Sequence, residues 1–272
     1  MTPPPRLPGR FADLFRSAKP IIGVIHLPPL PGYDGSPGVE RLLEKALADQ
    51  RALEAGGIDA VLVENEEDHP HEIVASPSTI AHMTRVTSAL VSRASVPVGV
   101  EILLNDPQAS IAVAAASGAR FIRTDYFVDR MERPEYGEMR TDPAGVMALR
   151  RQLHAEQILV LADIQVKYAR MLEPRPLSRS ARLARDSGAD AVVVTGSATG
   201  HAPDVGIIRE ASAGASGCPV LIGSGLDLEN AALLGAAAGA IVGTSLKTGD
   251  RVDVDKVRAL VEAARKIRVV GT

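Results

Sequence analysis

Residues 220–249 read VLIGSGLDLENAALLGAAAGAIVGTSLKTG and contain two short apolar runs, each of which ends in glycine and hydroxyl residues. The apolar runs predict buried strands, and the segment between them predicts a short helix. Backbone N–H groups at glycine turns bind anions without a cationic side chain, so both turns are candidate phosphate-binding segments. The turn residues are Gly223, Ser224 and Gly225 in the first turn and Gly243, Thr244 and Ser245 in the second.

The same alternation of short strand and helix runs along most of the chain. Helices are predicted between the strands, and several end in glycine, which accepts the left-handed cap and turns the chain into the next strand. Eight such units predict a single (β/α)8 TIM barrel, an α/β fold. An open doubly wound sheet is the alternative, but no G-x-G-x-x-G motif follows the first strand. The eight runs are PIIGVIHL, DAVLVEN, PVGVEILLN, RFIRTDYF, ILVLADIQVK, AVVVTG, PVLIG and AIVGTS.

Length and composition bound the organisation of the chain. The 272 residues suit one barrel domain over residues 20–272, with residues 1–19 as an N-terminal extension whose short helix (RFADLFRSA, 10–18) closes the barrel. The connection over residues 129–157 is long, and is either an insertion on the catalytic rim or a decoration.

Charge and hydropathy narrow the partners and the compartment. A net charge of −3 gives no general attraction to nucleic acid, and no apolar run is long enough to span a bilayer. A single cysteine, Cys218, and the absence of a secretory signal predict a cytoplasmic protein. The oligomeric state stays open, with a homo-oligomer as one option.

Charged and polar residues end the first five predicted strands, where a barrel has its active site. Side chains alternate along a strand, so residues two apart share a face. A charge buried alone is costly, so these groups must be compensated by one another, by a metal or by a ligand. We therefore predict a polar active-site mouth. The residues are His26 on the first strand, Glu64 and Glu66 on the second, Glu101 and Asn105 on the third, Arg123 and Asp125 on the fourth, and Asp163, Gln165 and Lys167 on the fifth.

Several chemistries are open to this set. Lys167 can act as a general base, a phosphate contact or an imine-forming amine, although neighbouring carboxylates disfavour the imine by stabilising the ammonium form. The carboxylates can also hold Mg²⁺, Mn²⁺ or Zn²⁺, but no cofactor is required by the sequence and no histidine-rich ligand spacing supports a metal. The histidines of EDHPHE (67–72) are expected in a solvated loop rather than in the site.

A third glycine-rich turn, TGSATG (195–200), follows the sixth strand and contains Gly196. In barrels of this kind the loops after strands seven and eight frequently bind phosphate. The sequence therefore predicts a two-ended site, with a phosphate grip over strands six to eight and reactive charges over strands one to five.

Several motifs in order resemble the BtpA/SgcQ family over residues 20–265: GVIHLPPLPG, DAVLVEN, PVGVEILLND, FIRTD, VVVTGSATG and VLIGSG…AIVGTSLK. The resemblance implies an α/β barrel akin to ribulose-phosphate-binding barrels, with one class of members linked to photosystem I biogenesis and another described as a nucleosidase. It places His26, Glu64, Asn65, Asp163 and Lys167 at the family's strand ends, and the two glycine turns at its phosphate grip.

The chain departs from the family pattern at three positions. Gln165 and Tyr168 stand where many members have histidine, and Glu101 stands where many have asparagine. Glutamine cannot transfer a proton as histidine does, whereas a glutamate adds a base. These differences suggest a substrate unlike that of better-known members.

The leading hypothesis is a barrel enzyme acting on a small phosphorylated metabolite, a sugar phosphate or nucleotide-like compound, by acid/base isomerisation or lyase chemistry. Glu101, Asp125, Asp163 and Lys167 are the acid/base candidates, and His26 or Glu64 position the substrate. Arg123, Asn65 and Gln165 join the glycine turns as binding residues. The alternatives are a hydrolase or nucleosidase, and a non-catalytic biogenesis factor.

Overall fold

Eight parallel strands form a closed barrel in the computed structural model, which describes residues 9–198 and 200–270. The strands neighbour one another in sequence order, and β1 pairs with β8 to close the ring. This confirms the predicted (β/α)8 fold. The strands are β1 Ile21–His26, β2 Ala60–Glu64, β3 Val98–Glu101, β4 Phe121–Thr124, β5 Leu159–Asp163, β6 Ala191–Val194, β7 Val220–Ile222 and β8 Gly239–Val242.

Helices cover the outside of the barrel. Three of them begin with a side-chain cap followed by proline at the first helical position: Ser76, Asp106 and Asp142 accept the N–H of the residue three further on. Such caps satisfy otherwise unpaired N–H groups and define where the helix starts. The helices are α1 Arg10–Leu14, α2 Val39–Ala55, α3 Pro77–Val91, α4 Pro107–Ser117, α5 Pro143–Gln152, α6 Leu177–Asp186, α7 Val205–Ala215 and α8 Val254–Val270.

The segment between β7 and β8 differs from a regular barrel unit. Only one short 3₁₀ helix, Ala231–Gly235, lies there. The run GAAAG that follows is too poor in large apolar side chains to add a long helix packed on the barrel. None of the helices described for residues 9–198 and 200–270 is both long and apolar enough to cross a membrane.

The inside of the barrel changes from apolar at the floor to polar at the mouth. Ile22, Leu62, Phe121, Leu161 and Val193 belong to one buried cluster, which fills the interior. The opposite face of each strand packs against the helices in a larger apolar core. Because inward positions recur every second residue, the next inward position beyond this cluster falls at the end of each strand.

Helix α1 plugs the floor. Phe11 and Phe15 are each 2% exposed and belong to the interior cluster, with the Phe15 ring centroid 5.6 Å from that of Phe121. The helix is shorter than the predicted segment 10–18, and residues 1–8 of the predicted extension lie outside the described residues.

The long connection after β4 forms a small sheet at the mouth. Strands Met131–Arg133 and Gly137–Met139 make an antiparallel hairpin, which pairs with Arg170–Met171 from the loop after β5. We call residues 131–139 the rim hairpin. Its Arg133, Glu135 and Tyr136 line the central cavity, so the insertion contributes to the rim.

Candidate functional site

A cavity of about 520 Å³ opens at the carboxyl ends of the strands. Its base is one layer of inward-facing positions, one from each strand end. Six strands place a polar side chain there, whereas β7 and β8 are followed by glycine. This layer therefore has a charged side and an open side. Its members are His26, Glu64, Glu101, Arg123, Asp163, Thr195, Gly223 and Gly243.

The charged side is organised around the guanidinium of Arg123, a residue that is 9% exposed. Asp163 accepts two parallel hydrogen bonds from it, each 2.9 Å long, at Nε and Nη2. Nη1 lies 3.3 Å from Glu64 Oε1 and 3.7 Å from Glu101 Oε2, and Nη2 lies 4.0 Å from Asp125 Oδ1. Four carboxyls thus share one permanent cation, because arginine stays charged in proteins.

One positive charge cannot keep four buried carboxyls ionised. Burial raises the pKa of Glu101 well above its usual value, since Arg123 offsets only part of that cost and Asp125 and Glu64 add to it. Burial and the Asp163 charge raise the pKa of Asp125 to about 7. Burial also disfavours ionised Glu64, but Arg123 and His26 hold its pKa below the ordinary value. The environment therefore shifts the pKa values of the two carboxyls in opposite directions, disfavouring ionisation of Glu101 and favouring ionisation of Glu64.

Glu101 is buried at the base of the cavity. It is 2% exposed, Arg123 Nη1 lies 3.7 Å from its Oε2, and its carboxyl is hydrogen-bonded to the carboxyl of Glu64. Two buried carboxyls that share a hydrogen bond beside one arginine are characteristic of sites that hold a proton. Glu101 also borders the cavity.

Glu66 adds a further carboxyl at the mouth, two residues beyond the end of β2. It lines the cavity, and burial followed by the charges of Glu64 and Asp125 raises its pKa to about 7. The alternation of the sequence placed it on the same face as Glu64, which the structure bears out.

His26 is oriented by Lys247, a residue absent from the sequence-based site. The lysine Nζ contacts His26 Nδ1, while Nε2 lies 3.7 Å from Glu64 Oε2. Burial lowers the pKa of His26, although the Glu64 charge opposes this. Because an ammonium can only donate, Nδ1 must accept, and the ring proton sits on Nε2 facing Glu64. Lys247 follows the Gly-Thr-Ser turn by two residues, which is the only signal for it in the sequence.

The open side is built by three glycine-rich loops, which follow β6, β7 and β8. The Ser224 hydroxyl accepts the Gly196 N–H at 3.2 Å and donates to the His201 carbonyl at 3.3 Å. The Ser245 hydroxyl donates to the Leu226 carbonyl at 2.7 Å. These two serines connect the three loops by hydrogen bonds. Both hydroxyl protons are donated to backbone carbonyls.

Two glycines keep the open side free of side chains. A Cβ on Gly243 would lie 2.9 Å from the His26 ring, and one on Gly223 would lie 2.4 Å from Val193. With Ser224, Gly225, Thr244 and Ser245, they line the cavity. Side chains of the neighbouring strands therefore leave no room for a Cβ at either position, and both turns border the cavity.

Three predicted binding residues do not line the cavity: Asn65, Gln165 and Gly196. Asn65 follows Glu64 by one residue, so it faces outward, where it accepts the Leu103 N–H at 2.8 Å and donates to Asp68. The side-chain amide of Gln165 donates to the Arg175 carbonyl and to Ser180, both at 3.1 Å.

The reason for the error at Gln165 is that β5 ends at Asp163, and the left-handed φ of 46° at Gln165 breaks the alternation. Gly196 lies behind Ser224, where a Cβ would come 2.1 Å from the His201 carbonyl oxygen. Glycine at this position allows the two loops to pack closely. Thr199, in the same motif, lies outside the described residues.

Asn105 was also predicted at the mouth. As with Gln165, its strand ends earlier than expected: β3 ends at Glu101, and the Asn105 side chain accepts the Tyr126 N–H at 3.1 Å instead of lining the cavity.

Lys167 lines the cavity as predicted, but from the loop after β5 rather than from the strand. The expectation for EDHPHE was wrong in part, because His69 and His71 both line the cavity, with ring centroids 4.8 Å apart. The cis peptide before Pro70 accompanies this turn. Neighbouring histidines in a loop gave no periodic signal that could have placed them there.

A metal was an alternative for compensating the carboxylates. Among residues 9–198 and 200–270, no three His, Cys, Asp or Glu side chains are arranged to hold an ion. The carboxyls point at the Arg123 guanidinium, which lies where a shared cation would be needed.

A family model described as the BtpA family matches residues 17–266. The chain belongs to the BtpA family. Among its relatives, the photosystem I biogenesis protein BtpA of Synechocystis sp. is 34% identical over 257 residues, covering 92% of this chain and 89% of the relative. An uncharacterized protein of Archaeoglobus fulgidus is 36% identical over 248 residues, covering 91% of this chain and 99% of the relative.

The barrel of this BtpA family protein also resembles solved structures. One is (S)-3-O-geranylgeranylglyceryl phosphate synthase from Thermoplasma acidophilum in complex with its substrate sn-glycerol-1-phosphate. The TM-score is 0.60 at 17% identity, and the match covers 93% of this chain and 96% of the other. At this identity the likeness establishes the shared fold.

Proposed function

We propose that this BtpA family protein is a cytoplasmic enzyme that transfers protons on a small phosphorylated metabolite, by isomerase or lyase chemistry. The observation that carries the proposal is the two-sided mouth layer. Carboxyls grouped around Arg123 and two glycine turns, at Gly223 and Gly243, line one cavity.

The glycine side suits a phosphate. Turns that present backbone N–H groups bind phosphate well, and β7 and β8 of such barrels are the usual place for them. Lys247 brings an ammonium group beside Gly243 through its contact with His26. The phosphorylated substrate of the Thermoplasma synthase gives support by analogy of fold only.

The carboxyl side suits proton transfer. Glu101, whose pKa burial raises well above its usual value, donates a proton to a substrate oxygen, and Asp125, with a pKa of about 7, accepts one from carbon. Arg123 stays bound to Asp163 and offsets the negative charge that develops on the substrate. Lys167 contacts the substrate from the rim.

Two other functions remain candidates. A hydrolase, such as a nucleosidase, would need a water activated between two carboxylates. A biogenesis factor has the support of the name of the Synechocystis relative. A biogenesis factor would not use ionisable groups inside a cavity, so variants of Glu101 would leave that function intact. The same variants would abolish the activity of an isomerase, a lyase or a hydrolase.

Ligand binding measured by thermal shift tests the proposal. A panel of sugar phosphates is compared with the same sugars lacking phosphate. A ligand at 100 times its Kd stabilises the folded state by about 2.7 kcal/mol, which raises Tm measurably. We expect phosphorylated compounds alone to raise Tm.

Matched glycine variants sharpen the test. Gly243→Val fills the open side and should remove the shift, whereas Gly206→Val, on the surface of α7 with nothing within 4 Å of a Cβ, should retain it. A panel in which unphosphorylated sugars shift Tm equally, or an unchanged response of Gly243→Val, would contradict the phosphate grip.

A further inference from the structure

The cavity has an apolar and aromatic end that the proposed proton transfer does not use. Leu103 and Leu104 come from the loop after β3, Arg133 and Tyr136 from the rim hairpin after β4, and Tyr168 from the loop after β5. In an eight-stranded ring, β4 lies opposite β8. This end is therefore across the cavity from the Gly243 turn.

Arg133 lies between the two tyrosines at this end of the cavity and contacts both. Its guanidinium carbon lies 5.8 Å from the centroid of the Tyr136 ring and 5.9 Å from that of Tyr168, distances typical of cation–π contact. Arg133 Nε is buried and has no hydrogen-bond partner among the residues that the structure describes; Glu135 Oε2 is 3.5 Å away. A flat cation thus packs against two tyrosine rings at this end of the cavity.

His71 supplies a second unpaired polar atom nearby. Its Nδ1 is buried and has no hydrogen-bond partner within the described ranges, and the residue lines the cavity. Burial, with His69 and Arg133 nearby, lowers the pKa of His71 to about 4, so the imidazole is uncharged at neutral pH. An uncharged imidazole offers one donor and one acceptor to a ligand.

A small apolar cluster supports this end of the cavity from behind. Leu104, Tyr126, Met131, Met139 and Val166 are buried together beneath the rim hairpin. The Tyr136 hydroxyl accepts a hydrogen bond of 3.2 Å from the backbone N–H of His71, which joins the hairpin to the loop after β2. The surfaces that face the cavity are therefore supported from behind, as a preformed binding site requires.

We propose that this end binds a planar, unsaturated ring carried by the phosphorylated substrate. The Arg133 guanidinium and the two tyrosine rings pack on the faces of the ring, and His71 lies beside it at the wall of the cavity. The assignment rests on the proposed function, since it needs the phosphate at the opposite end. It narrows the substrate class to phosphate esters with a heteroaromatic ring, in place of simple sugar phosphates.

Calorimetric titration of the full chain with four probes tests this: ribose 5-phosphate, UMP, 5,6-dihydro-UMP and AMP. UMP and its dihydro form differ in the planarity of the ring. Stacking is worth about 1–3 kcal/mol per base, so we expect AMP or UMP to bind about 5–150-fold more tightly than ribose 5-phosphate. UMP should also bind more tightly than dihydro-UMP.

Variants locate the effect. Arg133→Met and, at the half-exposed surface, Tyr168→Leu should weaken nucleotide binding and leave the Kd of ribose 5-phosphate unchanged. Arg130→Met is the matched control, because Arg130 lies just before the hairpin strand and pairs with Glu138 outside the cavity.

The outcomes separate the two proposals. Nucleotides that bind no more tightly than ribose 5-phosphate, or a loss equal for all probes in Arg133→Met and Tyr168→Leu, would overturn the ring site and leave the phosphate grip standing. Failure of every phosphorylated probe to bind would overturn the proposed function itself.

Discussion

Replacing Asp125 by asparagine should stabilise the protein at alkaline pH. The Asp125 carboxyl is buried beside Asp163, which raises its pKa from 3.8 to about 7. Such a group is about 4 kcal/mol harder to ionise in the folded protein than in the unfolded chain. At pH 8 it is ionised in both states, so the wild-type protein bears that cost and Asp125→Asn does not.

The sign of the pH dependence follows from linkage. A carboxyl with a raised folded-state pKa binds its proton more tightly when folded, so wild-type stability falls as pH rises from about 4 to about 7. The advantage of Asp125→Asn should therefore be largest above pH 7, at about 2–4 kcal/mol with Asp163 sharing part of the relief, and should disappear near pH 4.

Urea unfolding at pH 8 and pH 4 measures both values. Asp34→Asn, at an exposed aspartate, is the control and should change stability by less than about 0.5 kcal/mol at either pH. A variant no more stable than wild type at pH 8, or equally stabilised at both pH values, would refute the account of the carboxyl cluster.

Three further predictions concern other parts of the molecule. Phe15→Ala should cost about 3–5 kcal/mol in urea unfolding, because it empties the floor plug, whereas Leu153→Ala at a 40%-exposed site should cost much less; equal losses would contradict the plug. Nitrogen-15 NMR should find the His26 proton on Nε2 at neutral pH, and Lys247→Met should shift it toward Nδ1; a wild-type Nδ1–H tautomer would contradict the contact. Once a substrate is known, Glu101→Gln should lower turnover about 100-fold or more while keeping ligand Kd, and unchanged turnover would remove Glu101 as the acid.

The fold could be predicted because it repeats. Each of the eight apolar runs, with the glycine caps between them, indicates the same strand–helix unit. A wrong prediction for one unit therefore does not change the prediction of a barrel. Between β7 and β8 the short helix that the sequence predicts is a single 3₁₀ helix, Ala231–Gly235. Its weak side-chain pattern contains no apolar stripe for packing on the barrel.

The site was predictable only while strand alternation held. His26, Glu64, Glu101, Arg123 and Asp163 lie within regular strands, so parity placed them at one mouth. Asn65 follows Glu64 by one residue and faces outward as alternation requires, although the family resemblance placed it in the site. At Gln165 a turn beyond the strand end breaks the alternation and takes the side chain out of the cavity.

No comparable sequence rule predicts the position of residues that reach the cavity from loops. Lys247, Arg133, Tyr136 and His71 come from turns and the rim hairpin, where pairing across the chain decides position. Strand pairing between the hairpin and residues 170–171 joins two loops that are far apart in sequence. Local patterns do not encode such contacts.

The most direct test of the central claim is to titrate nitrogen-15-labelled protein with inorganic phosphate and follow backbone amide signals. The account predicts saturable shifts at the amides of Gly225, Gly243 and Thr244, in the two turns that line the open side, and none at Gly137 on the rim hairpin. Shifts confined to the hairpin, or no saturable shift in either turn, would contradict it.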